Sequence, residues 1–318
     1  MYLDEMTKTE RVAAAVHGDE VDRIPVSFWH HFRPEGSGRK MAQATIDFFE
    51  NTYDLDILKI MPDIPYPFPR GAIADPEGWR LLEHLNPRRS HYLNQRATAV
   101  RVLREAVGWE TPIIMTIYNP LSEAMHFAQS RDLFLEHARQ HPALVHLGLA
   151  TIAENLRRLM RECIDNGADG IFFALQGCTS EVMSQQEYQE FGRPYDLLAL
   201  QGAIDGWLNV LHVHGNKDLY FQQSLDYPVQ VLSWSDRTAG PSLREARTMT
   251  SKCLMGGWNE NGALANGPVE QIRAEAEDAI KQTGGRKLIL ANGCSVPDDT
   301  DPKWLEAARA LVDELEVP

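Results

Sequence analysis

Short apolar runs alternate with amphipathic helical stretches along this chain, and they do so eight times. Such alternation demands a parallel sheet, because each crossover between parallel strands carries a helix over a sheet face. The runs are Ile24 to Trp29, Leu55 to Met61, Pro112 to Tyr118, Ile171 to Leu175, Leu208 to His214, Val229 to Trp234, Cys253 to Gly256 and Lys287 to Ala291. They are short and nearly free of charge, as strands buried on both faces should be. Helical patterning covers Thr7 to His17, Met41 to Asn51, Arg88 to Val107, Leu121 to Arg139, Ala143 to Asn166, Glu187 to Leu200, Lys217 to Ser224, Leu243 to Thr250, Pro268 to Gln282 and Asp301 to about Leu315. Eight strands, each followed by helical sequence, is the count for a closed (β/α)8 barrel, or TIM barrel. One α/β domain over residues 1–318 is expected, with an N-terminal helical extension. An open doubly wound sheet would carry a glycine-rich phosphate loop, and no GxGxxG occurs. The proline-rich stretch from Pro62 to about Pro87 reads as a long loop, a length that usually has a functional reason.

Charge and cysteine usage narrow the partners. The formal net charge of −14 disfavours nucleic acid and anionic membrane surfaces. No uncharged apolar run is long enough for a membrane span, and the N-terminus lacks the basic-then-apolar order of a signal peptide. The four cysteines, Cys163, Cys178, Cys253 and Cys294, show no disulfide-framework spacing, which fits a reducing, cytoplasmic setting. A small-molecule substrate is therefore the expected partner, with no nucleic acid and no membrane.

Active sites of such barrels lie at the carboxyl ends of the strands. Those ends carry Trp29, His30 and His31; Asp63; Tyr118 and Asn119; Gln176, with Cys178 two residues on; His212 and His214; Trp234 and Asp236; Trp258, Asn259 and Glu260; and Asn292 and Cys294. Side chains alternate faces along a strand, so His212 and His214 point the same way, and Gly215-Asn216 ends their run. Two imidazoles with the thiolate of Cys294 make a three-ligand metal site with an open position. Cys163 and Cys253 read as small buried hydrophobes, and Cys178 is the alternative thiol.

Several segments give the chain a family likeness. They are Glu10-Arg11 through Asp22-Arg23-Ile-Pro25, Asn166-Gly167-Ala-Asp-Gly170, Gln186-Glu-Tyr188 to Pro194-Tyr195, Leu254-Met-Gly256-Gly-Trp-Asn, and Leu288-Ile-Leu-Ala-Asn-Gly293-Cys294-Ser-Val-Pro297. In order and spacing they resemble the uroporphyrinogen decarboxylase superfamily over nearly the whole length, and that resemblance implies the same barrel. The decarboxylases of that family bind a tetrapyrrole through an arginine-rich motif after the first strand and use no metal. Here the region from Phe28 to Gly36 offers only Arg33. Asp63, in Ile60-Met-Pro-Asp63-Ile64, matches the family's catalytic aspartate, while Asn292 sits near the place of its late histidine. The family's zinc methyltransferases move a methyl group between a corrinoid protein and a thiol such as coenzyme M. Their metal motif is His-x-Cys after the fifth strand and Cys after the eighth. His212 and Cys294 match, and His214 replaces the middle cysteine.

That replacement changes the chemistry. Zn²⁺ with one histidine and two thiolates is neutral, whereas two histidines and one thiolate leave about one positive charge. The second site is the stronger Lewis acid and lowers the pKa of a bound thiol more, while making that thiolate less nucleophilic. The expected function is metal-dependent methyl transfer between a corrinoid, or another methyl donor, and a zinc-activated thiol. His212, His214 and Cys294 are the expected ligands, with the corrinoid carried on a partner protein. Tyr118, Asn119, Gln176, Asp236 and Glu260 are candidates for orienting substrate, with Asp236 or Glu260 as proton acceptor. Trp29, Trp234 and Trp258 are candidates for an apolar wall against the substrate or a corrinoid face, and the loop holding Asp63, Tyr66, Phe68 and Arg70 for a cover over the mouth. The alternative is a metal-free lyase in which Asp63 protonates a tetrapyrrole, and a third reading is a non-catalytic metal- or corrinoid-binding protein. Two imidazoles and a thiolate also suit iron or copper. A homodimer is the assembly considered.

Overall fold

A computed structural model describes residues 5–32 and 36–317, so Arg33 lies outside the described residues. The eight strands are β1 (Val26–Ser27), β2 (Leu58–Ile60), β3 (Ile113–Tyr118), β4 (Gly170–Leu175), β5 (Val210–Val213), β6 (Val231–Trp234), β7 (Cys253–Trp258) and β8 (Leu288–Asn292). All pair in parallel, in sequence order from β2 to β8, and β8 then pairs with β1. Helical segments connect successive strands, giving the (β/α)8 barrel that the strand count implies. The opening helix Lys8–His17 carries a Thr7–Glu10 capping box and ends on Gly18 in the left-handed conformation.

One seam of the barrel is closed by a side chain. No strand ladder joins β1 to β2; instead Asp56, fully buried just before β2, spans the gap. Its backbone N–H donates to the Val26 carbonyl at 3.0 Å, and its carboxylate accepts from the Val26 N–H at 2.8 Å. Arg11 and Arg23 donate to the same carboxylate at 2.7 and 2.6 Å. Both arginines come from the opening motif, so that part of the family likeness has a structural role at the amino-terminal end of the strands.

Three departures from the sequence expectation have local causes. The helix expected over Leu121 to Arg139 is two helices, Pro120–Phe127 and Arg131–Gln140. Ser130 makes the break by turning extended and accepting from the Leu133 N–H as an N-cap. Strand β7 runs on to Trp258, two residues past its expected end. The long loop is partly ordered by a short 3-10 helix, Pro76–Leu81, capped by Asp75. Buried Trp79 anchors it by donating from Nε1 to His137 Nδ1 at 3.1 Å.

The barrel interior is apolar except for a few groups near the carboxyl ends. In β5, Leu211 and Val213 alternate with Val210 and His212, and His212 sits in register with Ala174 of β4 and Ser233 of β6. Lys59 of β2 is also interior and only 1 % exposed.

Candidate metal centre

His212 projects from β5 into the barrel and is 4 % exposed. His214 follows two residues later on the same face, its N–H still bonded to the Leu175 carbonyl at 3.0 Å, so the strand pairing fixes both rings. Asn216 and Lys217 then donate their backbone N–H groups to Glu181 Oε2 at 2.8 and 3.3 Å, which pins the turn. Cys294 arrives from the end of β8. Asn292 shapes that turn by donating from Nδ2 to the carbonyls of Trp29 at 3.1 Å and Cys294 at 2.6 Å. Gly293 is required between them, because a Cβ there would fall 2.6 Å from Ser235 Cα and 2.8 Å from Glu260 Oε2.

These turns bring one ligand atom each of His212, His214 and Cys294 within 4.8 Å of one another. Cys294 Sγ lies 3.7 Å from His214 Nδ1. Nitrogen and sulfur ligands of one tetrahedral zinc ion stand about 3.6 Å apart, so the spacing fits a shared metal. His212 Nδ1 is 3.3 Å from Ser233 Oγ, leaving Nε2 as its free ligand atom. Burial, His214 and Lys59 hold His212 well below the ordinary histidine range, and burial lowers His214 as well. Both imidazoles are thus neutral, the form that ligates metal. Burial pushes the Cys294 thiol up, so without metal it keeps its proton at neutral pH.

A carboxylate stands behind the cluster. Glu260 is 4 % exposed and accepts a 2.6 Å hydrogen bond from Ser235 on Oε1. Its Oε2 has no partner among the described residues. A buried oxygen left unpaired is costly unless a cation or donor compensates it. The charge of one supplies that compensation: a dication with two neutral imidazoles and one thiolate carries +1. The donor set and the orphaned oxygen therefore both fit a bound divalent metal.

A cavity of about 90 Å³ opens over the cluster, and Trp29, Lys59, Tyr118, Phe172 and Gln176 line it with the three candidate ligands. Trp29 meets Phe172 edge-on with ring centroids 5.2 Å apart. Lys59 Nζ sits 4.9 Å from the Trp29 ring and 4.2 Å from the Phe172 ring, donating to Met61 Sδ at 3.1 Å. Burial draws this ammonium from its ordinary 10.5 to about 7.

The remaining candidate residues divide by position. Asp63 lines an adjoining chamber, with Oδ1 3.7 Å from His31 Nδ1. Asn119 is fully buried and bonded to Asp196, to the Gln176 backbone and to the Ser122 N–H, capping the helix that follows β3. Asp236 accepts from the Gly257 N–H at 3.0 Å, and burial raises its pKa to about 6. Trp234 and Trp258 turn outward to the helical layer, donating from Nε1 to the carbonyls of Pro241 at 2.7 Å and Ile272 at 3.0 Å. None of these last four lines the cavity over the metal cluster. Cys178 is buried away from it, 3.6 Å from the Tyr220 carbonyl. Lys59, Phe172 and Thr116, which do line it, escaped the sequence reading.

Comparison with known proteins agrees with this architecture. Residues 58–315 match the model of the uroporphyrinogen decarboxylase (URO-D) family. Methylcobamide:CoM methyltransferase MtaA of Methanosarcina barkeri (strain Fusaro / DSM 804) is 25 % identical over 215 residues, 67 % of this chain. The match spans only 60 % of that relative's length. Among solved structures, a methyltransferase from Methanosarcina mazei superposes with a TM-score of 0.77 at 20 % identity, covering 98 % of this chain and 99 % of the other. A B12-independent methionine synthase from Shewanella sp. W3-18-1 shares the fold more distantly, with a TM-score of 0.51 at 13 % identity over 69 % of this chain and 66 % of that one. With the family model covering most of its length, the chain belongs to the uroporphyrinogen decarboxylase family.

Proposed function

We propose that this protein is a zinc-dependent methyltransferase that passes a methyl group between a corrinoid, carried by a partner protein, and a small thiol. The observation that carries the reading is the convergence of His212, His214 and Cys294 at the carboxyl end of a barrel in this family. The name of the Methanosarcina barkeri relative, a methylcobamide:CoM methyltransferase, supports the direction of the chemistry.

In this reading His212, His214 and Cys294 hold the ion, and Glu260 offsets its charge. Zinc bound there would lower the pKa of a thiol beside it and so supply a nucleophile at neutral pH. Trp29 and Phe172 exclude water from the small cavity, which strengthens every charge interaction inside it. Tyr118 and Gln176, on the same wall, orient the thiol. Lys59 Nζ faces that cavity, and its neutral form, populated near pH 7, is a base that can hold a proton released there.

The test is to load the purified chain with Zn²⁺, assay bound metal, and follow loss of methylcobalamin absorbance on adding small thiols. Retention of one ion per chain with thiol-dependent demethylation is the expected result. A chain that gains no zinc overturns the reading and favours the metal-free lyase centred on Asp63. A chain that holds zinc without turnover points to the binding protein.

A further inference from the structure

A second chamber, of about 290 Å³, adjoins the cavity over the metal cluster, and Pro62 and Tyr118 border both. It lies between the segment after β2 and the helix Pro120–Phe127. Its volume is near the lower bound for small-molecule sites. Glu123, in the first turn of that helix, lines the chamber and is 7 % exposed. Among the described residues its carboxylate accepts no hydrogen bond and has no cation within 4.0 Å.

The other charged groups facing the chamber do not supply what Glu123 lacks. Arg96 donates from Nη1 to the Thr116 carbonyl at 2.9 Å and from Nη2 to the Ile64 carbonyl at 2.7 Å, stacks over Tyr92 at 4.8 Å, and keeps its buried Nε without a partner among the described residues. Arg70 is exposed. His126 is kept neutral by burial and by Arg70. Asp63 adds a second carboxylate. Two carboxyl groups and two arginines thus line the chamber, and of the arginines only Arg96 is buried. Tyr66, Phe68 and Phe127 form the apolar wall, with ring centroids of Tyr66 and Phe68 5.2 and 5.0 Å from that of Phe127.

We propose that this chamber is a binding site for a protonated organic amine, whose N–H donates to the Glu123 carboxylate while its hydrocarbon packs on Tyr66, Phe68 and Phe127. An anion would meet the carboxyl groups of Glu123 and Asp63. A neutral ligand would leave an ionised Glu123 without a cationic partner. Burial raises Glu123 to about 7, so without a cation beside it the group holds its proton more tightly than an ordinary glutamate. The site stands apart from the metal chemistry, and its failure would leave that reading intact.

The experiment is calorimetric titration of the full-length protein, as purified and after zinc loading, at pH 8. The probes are benzylammonium, the neutral near-isostere benzyl alcohol, and benzoate. Benzylammonium is expected to bind about ten- to a hundredfold more tightly than benzyl alcohol in both preparations, the worth of a buried charge-assisted hydrogen bond. Benzoate is expected not to bind. Glu123→Gln should abolish the preference for the amine while leaving weak binding of the alcohol. Equal affinity for amine and alcohol, tighter binding of benzoate, or no binding of any probe to the parent protein would overturn the proposal without reference to the variant. Retention of the amine preference by a folded Glu123→Gln protein would overturn the role of that residue.

Discussion

Cys294 Sγ and His214 Nδ1 lie 3.7 Å apart although 80 positions separate them in the chain. Strands β5 and β8 are separated by β6 and β7, so the curl of the sheet brings their ends together, and the thiol is a direct probe of that site. Cys294→Ala is expected to lose most bound zinc, because two imidazoles alone fall short of the usual three protein ligands. His214→Cys is expected to keep zinc while changing reactivity toward thiols, since a second thiolate neutralises the site. Metal analysis of the purified variants decides it, and equal zinc in Cys294→Ala and parent would remove the cysteine from the ligand set.

Metal uptake should depend on pH in one direction. His212 and His214 are already neutral, so they do not compete with protons near neutrality. Cys294 is raised by burial and must give up its proton to ligate. Each ion bound therefore releases a proton, and zinc affinity should rise about tenfold per pH unit across the neutral range. Competition with a chromophoric chelator at several pH values reads this slope, and a flat profile would count against thiolate ligation.

Glu260→Gln tests the countercharge. The amide keeps size and can still accept from Ser235, but it removes the negative charge behind the ligands. Zinc affinity is expected to fall about ten- to a hundredfold, in line with other partners just outside a metal's ligand set. Thermal unfolding of the metal-free variant should not drop with it, because the parent leaves Oε2 buried and unpaired. A variant with unchanged affinity would show Glu260 to be structural.

Much of this was legible in the residues, and the failures share a cause. All eight strands show as apolar runs, and the period of two alone places His212 and His214 on one face. Trp234 and Trp258 read as rim residues because they lie near strand ends, but nearness does not assign a face. Ser233 sits beside His212 in the interior, so its neighbour Trp234 must point out to the helices. Lys59 left a readable signal, a lone charge inside Leu58-Lys59-Ile60, where an outward lysine would be buried under helices in any case. Glu123 left none. An acidic residue in a first helical turn is ordinary, and only the folding of the segment around Tyr66 and Phe68 over that helix buries it.

The Asp56 seam should be costly to open. Removing this carboxylate leaves Arg11 with Asp22 and Arg23 with Asp313, but takes the buried shared partner from both and leaves the Val26 N–H without its acceptor. Breaking a buried ion pair from one side costs about 3–5 kcal/mol, and Asp56→Ala is expected to fall in that range by urea unfolding. A loss below about 1 kcal/mol, the scale of an exposed pair, would show that the β1–β2 closure does not rely on it.

Lys59 makes the opposite forecast, because its burial is a strain on the fold. A base whose pKa falls from 10.5 to about 7 on folding weakens the native state wherever the unfolded chain holds the extra proton. The penalty is complete below pH 7, shrinks as pH climbs from about 7 to 10.5, and vanishes above that window. Lys59→Met fills the same space without charge, beside Met61 and the Trp29 and Phe172 rings. It should stabilise the protein on the order of 3–5 kcal/mol at pH 6 and by clearly less at pH 9. Urea unfolding at the two pH values measures the difference. A gain independent of pH would mean that the ammonium is not desolvated in the native barrel, and a loss at pH 6 would mean that the two aromatic faces stabilise the cation more than burial penalises it.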